Sequence, residues 1–304
     1  MKPNAFIRAW QRATGCSIGK PLVRQSLAEL VGTLVLTLVG DCVLASLTVS
    51  RLGAMGLAAG PLGWGLAVFL GVLVAGGVSG AHLNPAVTVA MATVGKISWR
   101  KVLPYVASQY AGAFLASCLV YMVYADALRL LFLGYFLSLD ASFPTQVDGP
   151  LTAVYGENAT APACPHSPAS WDQVVSTAVL LLGICAVTDN RNMSVPRGQQ
   201  PLLIGLAVSA CMYAFSSNCG NPLNPARDLA PRIFTAISSW GSAVFSFRSY
   251  NWFWVPVVGP HVGGIVGVWT YKLAVDNHWE SEDDTDSCER KLLRSSRGSN
   301  GSAA

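Results

Sequence analysis

The chain has 304 residues, of which 52% are hydrophobic and only 12% charged, with a formal net charge of +4. An ordinary soluble domain carries about 25% charged residues, so this composition argues against a soluble enzyme, a disordered chain and a disulfide scaffold, and for a polytopic membrane protein. The small positive excess follows from where Lys and Arg stand along the chain and calls for no nucleic-acid partner.

Residues 1–21 hold Lys2, Arg8, Arg12 and Lys20, with no small-residue cleavage site behind a short apolar core. They are expected to form a cytoplasmic tail ahead of an uncleaved first span. A spanning helix needs roughly 20 mostly apolar residues. That ruler predicts six spans, at 22–48, 62–80, 101–124, 171–188, 200–217 and 252–275. Two further apolar stretches, 84–95 and 224–236, are too short to cross. Between Arg51 and Lys96 there is no Asp, Glu, Lys or Arg, which fits a span followed by a shorter buried segment. The eight cysteines include no CxxC pair and mostly sit in apolar runs, where Cys acts as a small hydrophobe rather than a zinc ligand.

Orientation follows from the basic residues. They gather in the N-terminal tail, at Lys96, Arg100 and Lys101, at Arg191 and Arg197, and beyond Trp269. With six spans these segments share one side, so both termini are expected in the cytoplasm, in the plasma membrane. The long opposite link, 130–170, carries the acceptor Asn158-Ala159-Thr160, an N-glycosylation candidate whose competing role is an unmodified loop residue. From Asp276 to 304 an acidic cluster and a basic, Ser-rich end read as a disordered cytoplasmic tail.

The chain repeats itself between about 22–124 and 171–275. Glu29-x3-Thr33 in the first span answers Gln173-x3-Thr177 in the fourth. His82-Leu83-Asn84-Pro85-Ala86 answers Pro222-Leu223-Asn224-Pro225-Ala226, and Gln109-x2-Gly112 answers Pro260-x2-Gly263. Each half has an odd number of spans, so the second enters upside down, and the functional centre of such an inverted repeat lies where the halves meet near the midplane. The fold expected is an all-α membrane protein with six transmembrane helices and two re-entrant half-helices. Asn before Pro is a favoured helix start, Asn as cap and Pro as first residue. Non-helical backbone at membrane depth survives only inside protein or against a water-filled cavity, so the two loops should enter from opposite faces and line something aqueous.

Two such Asn-Pro-Ala segments in inverted halves resemble the aquaporins, over about residues 22–275. The run from Asn224 through Arg227, Asp228 and Arg232 is similar to the aquaglyceroporin branch, as is Pro256 in the last span. Physics and resemblance meet here. Half-helix N-termini put positive dipole ends at the pore centre, and the amides of Asn84 and Asn224 can donate to a passing oxygen while the field opposes cations. Capping alone is the competing role for both asparagines. The resemblance makes Arg227 the charged member of an outer constriction, with a structural ion pair as its alternative, and makes Asp228 a packing partner. It places Trp64, Met212 and Asn221 in the rest of the selectivity filter. Met212 stands where a small residue is usual and Asn221 where an apolar one is, so Met212 would narrow the passage and Asn221 would add a polar group. His82 falls near the pore. Its titration would bias flux near about pH 6, with a neutral structural histidine as the favoured alternative. Glu29 and Gln173 are expected to hold the re-entrant loops through backbone hydrogen bonds.

The resemblance implies a homotetramer without cofactor or metal, conducting water and small neutral solutes such as glycerol and urea. No nucleophile–base pair or phosphate loop points to an enzyme. A water-selective pore narrowed at Met212, a secondary transporter built on the carboxylate of Glu29, and a junction protein without transport remain the alternatives at this stage.

Overall fold

The computed structural model describes residues 20–50, 53–130, 166–219, 221–240, 244–245 and 253–279. Asn158, most of the N-terminal tail and the C-terminal tail from 280 lie outside them. The described chain is helical, with six spans and two half-helices in an inverted repeat. The first half contains α1 (Pro21–Ser50), α2 (Gly53–Ser79), the half-helix α3 (Pro85–Thr93) and α4 (Trp99–Leu130). The second contains α5 (His166–Thr188), α6 (Gln200–Cys219), the half-helix α7 (Pro225–Thr235) and α8 (Val255–Ala274).

The helix α2 begins nine residues before the predicted boundary and carries Pro61 inside it. A proline in a helix interior removes a backbone bond. Here two hydroxyls from α6 brace the segment: Ser209 Oγ donates to the Pro61 carbonyl at 3.1 Å and Tyr213 Oη to that of Ala58 at 2.5 Å. The predicted tail also begins too early at Asp276. Residues Asp276–His278 form a 3₁₀ turn, and Asp276 pairs with Lys272 at 2.8 Å and with Arg191.

The two half-helices cross over. The last span of each half packs closely on the half-helix of the other, α4 on α7 and α8 on α3. Large exposed apolar side chains such as Leu66, Leu73, Val179 and Val262 cover the outer faces, as a lipid-facing surface requires. Glycines set the helix spacing at matched places. A Cβ on Gly112 would lie 2.3 Å from the Leu30 carbonyl oxygen, and one on Gly263 2.2 Å from that of Val174. Gly65 and Gly205 make the same close approach between α2 and α6. By contrast Gly77 and Gly80 meet nothing within 4 Å.

At the α5–α6 link, Asp189 collects bonds from the Arg191 N–H at 3.0 Å, the Arg191 guanidinium at 3.2 Å and the Tyr271 hydroxyl at 3.2 Å. Burial favours its neutral form, but these donors win and hold the carboxyl below the usual carboxylate range.

Two outcomes follow from this packing. Gly263→Ala should destabilise the fold by about 1–3 kcal/mol, the usual effect of overpacking, while Gly77→Ala should be neutral or slightly stabilising; thermal unfolding in detergent distinguishes them. Because the Asp189 pKa is depressed, its contribution is complete above the ordinary carboxylate pKa and fades as pH falls through the lowered value. Asp189→Asn should lower the melting temperature at neutral pH and flatten its decline on acidification.

Candidate functional site: a lumen between two half-helices

Each Asn-Pro segment folds as its residue types dictate. Asn84 is extended, and its Oδ1 accepts from the Ala86 N–H at 2.8 Å; Asn224 is extended and accepts from Ala226 at 3.0 Å and Arg227 at 3.4 Å. Pro85 and Pro225 occupy the first helical positions. Capping uses only the amide oxygen. One N–H of each amide crosses to the other half: Asn84 Nδ2 donates to the Leu223 carbonyl at 3.0 Å, and Asn224 Nδ2 to the Leu83 carbonyl at 2.8 Å. An amide nitrogen has two protons, so a second donor remains on each asparagine. Both side chains line the central cavity. Capping and lining therefore coexist.

The loops ahead of the half-helices hold matched left-handed residues, Ala81 and Leu83 (φ 51° and 52°) against Asn221 and Leu223 (φ 50° and 58°). Such backbone costs of order 1 kcal/mol per non-glycine residue and persists only where its surroundings enforce it. In the first half Glu29, fully buried, enforces it. Its Oε1 accepts from the His82 N–H at 3.0 Å and Ser79 Oγ at 2.6 Å, its Oε2 from the Leu83 N–H at 2.7 Å and Gln109 Nε2 at 2.8 Å. In the second half Gln173 Oε1 accepts from the Leu223 N–H at 3.4 Å. In a trans peptide the N–H and the preceding C=O point opposite ways. With the N–H groups of His82 and Leu83 turned into the wall, the carbonyls of Ala81 and His82 turn toward the lumen.

The cavity is about 270 Å³ in volume, lined by Leu36, Trp64, Val68, Val72, Gly80, Ala81, His82, Leu83, Asn84, Val87, Met91, Lys96, Leu180, Ile184, Thr188, Ile204, Val208, Met212, Pro222, Leu223, Asn224 and Arg227. The repeat organises this wall. Carried along the register of Glu29 with Gln173 and Asn84 with Asn224, Leu36 answers Leu180, Val68 answers Val208 and Val72 answers Met212. The symmetry breaks at several lining positions, among them Trp64, which answers Ile204, and Arg227, which answers Val87. Those two exceptions meet, the Arg227 Cζ lying 4.2 Å from the centroid of the Trp64 ring. An arginine over an aromatic face is an attractive cation–π pair. One end of the lumen thus carries a cation and an aromatic wall where the other carries two aliphatic residues. The aliphatic lining positions were missed in the sequence; the repeat register that gives Asn84 its mate would have found them.

Other candidates fall elsewhere. Asn221, expected to add a polar group to the constriction, turns into the wall. Its Nδ2 donates to Ser176 Oγ at 2.7 Å and the Cys211 carbonyl at 3.0 Å, and its Oδ1 accepts from Gln173 at 3.4 Å. With φ positive and a short polar side chain, it locks its own loop rather than meeting solute. Asp228 is fully buried and pairs with Arg232, Nε at 3.1 Å and Nη2 at 3.0 Å, while Arg232 Nη1 also donates to the Val244 carbonyl at 2.9 Å. This is a packing pair inside α7. Pro256 is buried in the first turn of α8, away from the lumen wall. His82 lines the lumen with its ring nitrogen 3.3 Å from Thr88 Oγ1 and its edge against Tyr105. Asp41, buried in α1, is a second intramembrane carboxylate besides Glu29, and the sequence reading passed over it. Neither carboxylate is among the lumen-lining residues.

Glu29→Gln turns an NH2 group toward two of the four donors. The loop should lose its hold, with a destabilisation of about 1–3 kcal/mol for the unsatisfied groups and a matching fall in water permeability per channel, read by stopped-flow light scattering on vesicles of known protein content.

Comparison with known proteins agrees with this architecture. Aquaporin-10 of Milnesium tardigradum is 41% identical over 290 residues, covering 90% of this chain and 66% of that protein. Aquaporin-9 of Homo sapiens is 37% identical over 270 residues, covering 86% of each. The X-ray structure of the aquaglyceroporin from Plasmodium falciparum superimposes with a TM-score of 0.72 at 29% identity, over 82% of this chain and 95% of that one. The Major intrinsic protein family matches residues 18–271, and with the paired Asn-Pro-Ala half-helices around one lumen, this chain belongs to that family.

Proposed function

We propose that the protein is a passive channel for water and small neutral polyols, glycerol first among them, with urea a further candidate of similar size. The observation that carries this is the pairing of the Asn84 and Asn224 amides beside a lumen whose wall is apolar on one side and lined by carbonyls on the other. Three groups of different character fit a polyol. The carbonyls of Ala81 and His82 accept from hydroxyls, the spare asparagine N–H groups and Arg227 donate to oxygens, and Leu36, Val68, Leu180 and Val208 meet the carbon chain. The two Asn-capped N-termini place positive potential at the centre, and Arg227 adds a full charge. A permeating oxygen that accepts from the two amides is oriented against relaying a proton, and a cation meets repulsion without carboxylates to offset it.

Trp64, Met212 and Arg227 form the narrow part in this reading. The distribution of basic residues supports a multi-pass arrangement in the plasma membrane with both termini cytoplasmic, and membership of the family supports a homotetramer with one pore per subunit. A coupled transporter is disfavoured because Glu29 has four donors on it and neither it nor Asp41 lines the passage.

The water-only alternative rests on Met212, which is nearly buried in the wall yet lumen-facing. Proteoliposome swelling in glycerol against shrinkage in sucrose decides between them. Rapid flux of both water and glycerol is expected, and fast water with no glycerol flux would establish the narrower pore. Met212→Gly should raise the glycerol-to-water ratio by about tenfold, the order that one or a few methylenes contribute to discrimination in a fitted pocket.

A further inference from the structure

The repeat register leaves one position on the wall with no side chain in the first half. Gly40 of α1 answers Ile184 of α5, and Ile184 faces the lumen. What occupies the Gly40 slot is the Trp64 ring. A Cβ built on Gly40 would lie 2.3 Å from Cζ3, 2.4 Å from Cε3 and 2.5 Å from Cη2 of that indole. Among the described glycines, Gly40 is alone in having all three nearest atoms on one lumen-facing side chain. Gly112, Gly263 and Gly267 meet backbone of a neighbouring helix instead, so their role is helix approach. The ring also meets Arg227, whose Cζ lies 4.2 Å from its centroid. Trp64 is 3% exposed, and its Nε1 has no hydrogen-bond partner among the described residues.

We propose that Gly40 is a specificity-determining position: its missing side chain lets the Trp64 ring withdraw into α1, and the depth of that withdrawal sets the width of the passage beside Arg227 and so the largest solute that passes. This rests on Trp64 and Arg227 forming the narrow part. The physical reasoning is short. A rigid indole cannot absorb a contact near 2.4 Å by changing a terminal torsion. It must translate or rotate away from α1, and the open space on its far side is the lumen. A methyl at position 40 is therefore transmitted to the pore, where a three-carbon polyol needs the width and a water molecule does not. The second half solves the same packing problem the opposite way, with a side chain at Ile184 and the smaller Ile204 where Trp64 stands. Bulk in one member of the pair trades against bulk in the other.

The test is a double-mutant cycle in proteoliposomes, with water and glycerol permeabilities normalised to channel content. The variants are Gly40→Ala, Trp64→Ile (the residue of the other half) and the double change. Gly40→Ala alone should cut glycerol flux by about tenfold or more, as a misplaced methyl does in a fitted pocket, with water flux changed less than about twofold. In the Trp64→Ile background the same substitution should change neither. If Gly40→Ala fails to reach the membrane, recovery of folding by Trp64→Ile supports the ring as the obstacle, and lack of recovery overturns the proposal. A Gly40→Ala effect of equal size in both backgrounds overturns it, as does an unchanged glycerol-to-water ratio while Trp64→Ile alone alters that ratio. If Trp64→Ile itself leaves the ratio unchanged, the reading of the narrow part fails and the inference with it, a result distinct from the others.

Discussion

Backbone that leaves a helix at membrane depth must find partners inside the protein, because lipid offers none. The two loops that lead into α3 and α7 meet that constraint by holding each other. The asparagine of one half donates to the carbonyl of the other, at 3.0 Å and 2.8 Å. Glu29 and Gln173 fix the outward N–H groups, and left-handed residues at matched places turn the chain back toward the centre. Removing any of these leaves polar backbone buried without a partner, so the loops are specified jointly rather than one at a time. The two supports differ in chemistry. Glu29 is a carboxylate with bonds of 2.6–3.0 Å, whereas Gln173 is an amide with bonds of 3.4 Å that shares its task with Asn221.

The symmetry of the repeat is broken most clearly at one end of the lumen. Matched aliphatic residues make most of the apolar wall. At one end Arg227 and Trp64 replace Val87 and Ile204, so a solute meets charge and aromatic surface together. The same sequence position can thus serve two opposite ends of one passage, with chemistry assigned by the half in which it falls. Packing carries the asymmetry outward from the lumen, since Gly40 accommodates a ring where Ile184 has none to accommodate.

Much of this was legible before any coordinates. Asn before Pro fixed the starts of both half-helices, because cap and first-turn preferences are local, and the odd number of spans per half gave the inversion. Glu29 and Gln173 were readable as loop supports because a polar group in an apolar span must bond to something. Boundaries were less legible. The second span was expected from residue 62, yet hydroxyls from α6, 148 and 155 residues away in sequence, brace the carbonyls around Pro61 and the helix starts at Gly53. The orientation of a side chain in a left-handed loop was not legible at all. Asn221 occupies a position that resemblance assigns to the filter, but Ser176 and the Cys211 carbonyl draw its amide into the wall. Asp228 and Arg232, which resemblance reads as marks of a branch, are in space an i,i+4 pair inside α7.

In the proposed channel the spare amide protons of Asn84 and Asn224 face one continuous aqueous path. The most direct measurement is the position of ordered water in an experimental structure at a resolution that shows it. A water file should run through the lumen with an oxygen about 2.7–3.2 Å from both Nδ2 atoms. A file interrupted by protein at that level, or asparagine amides turned wholly into the wall with no water in reach, would contradict it.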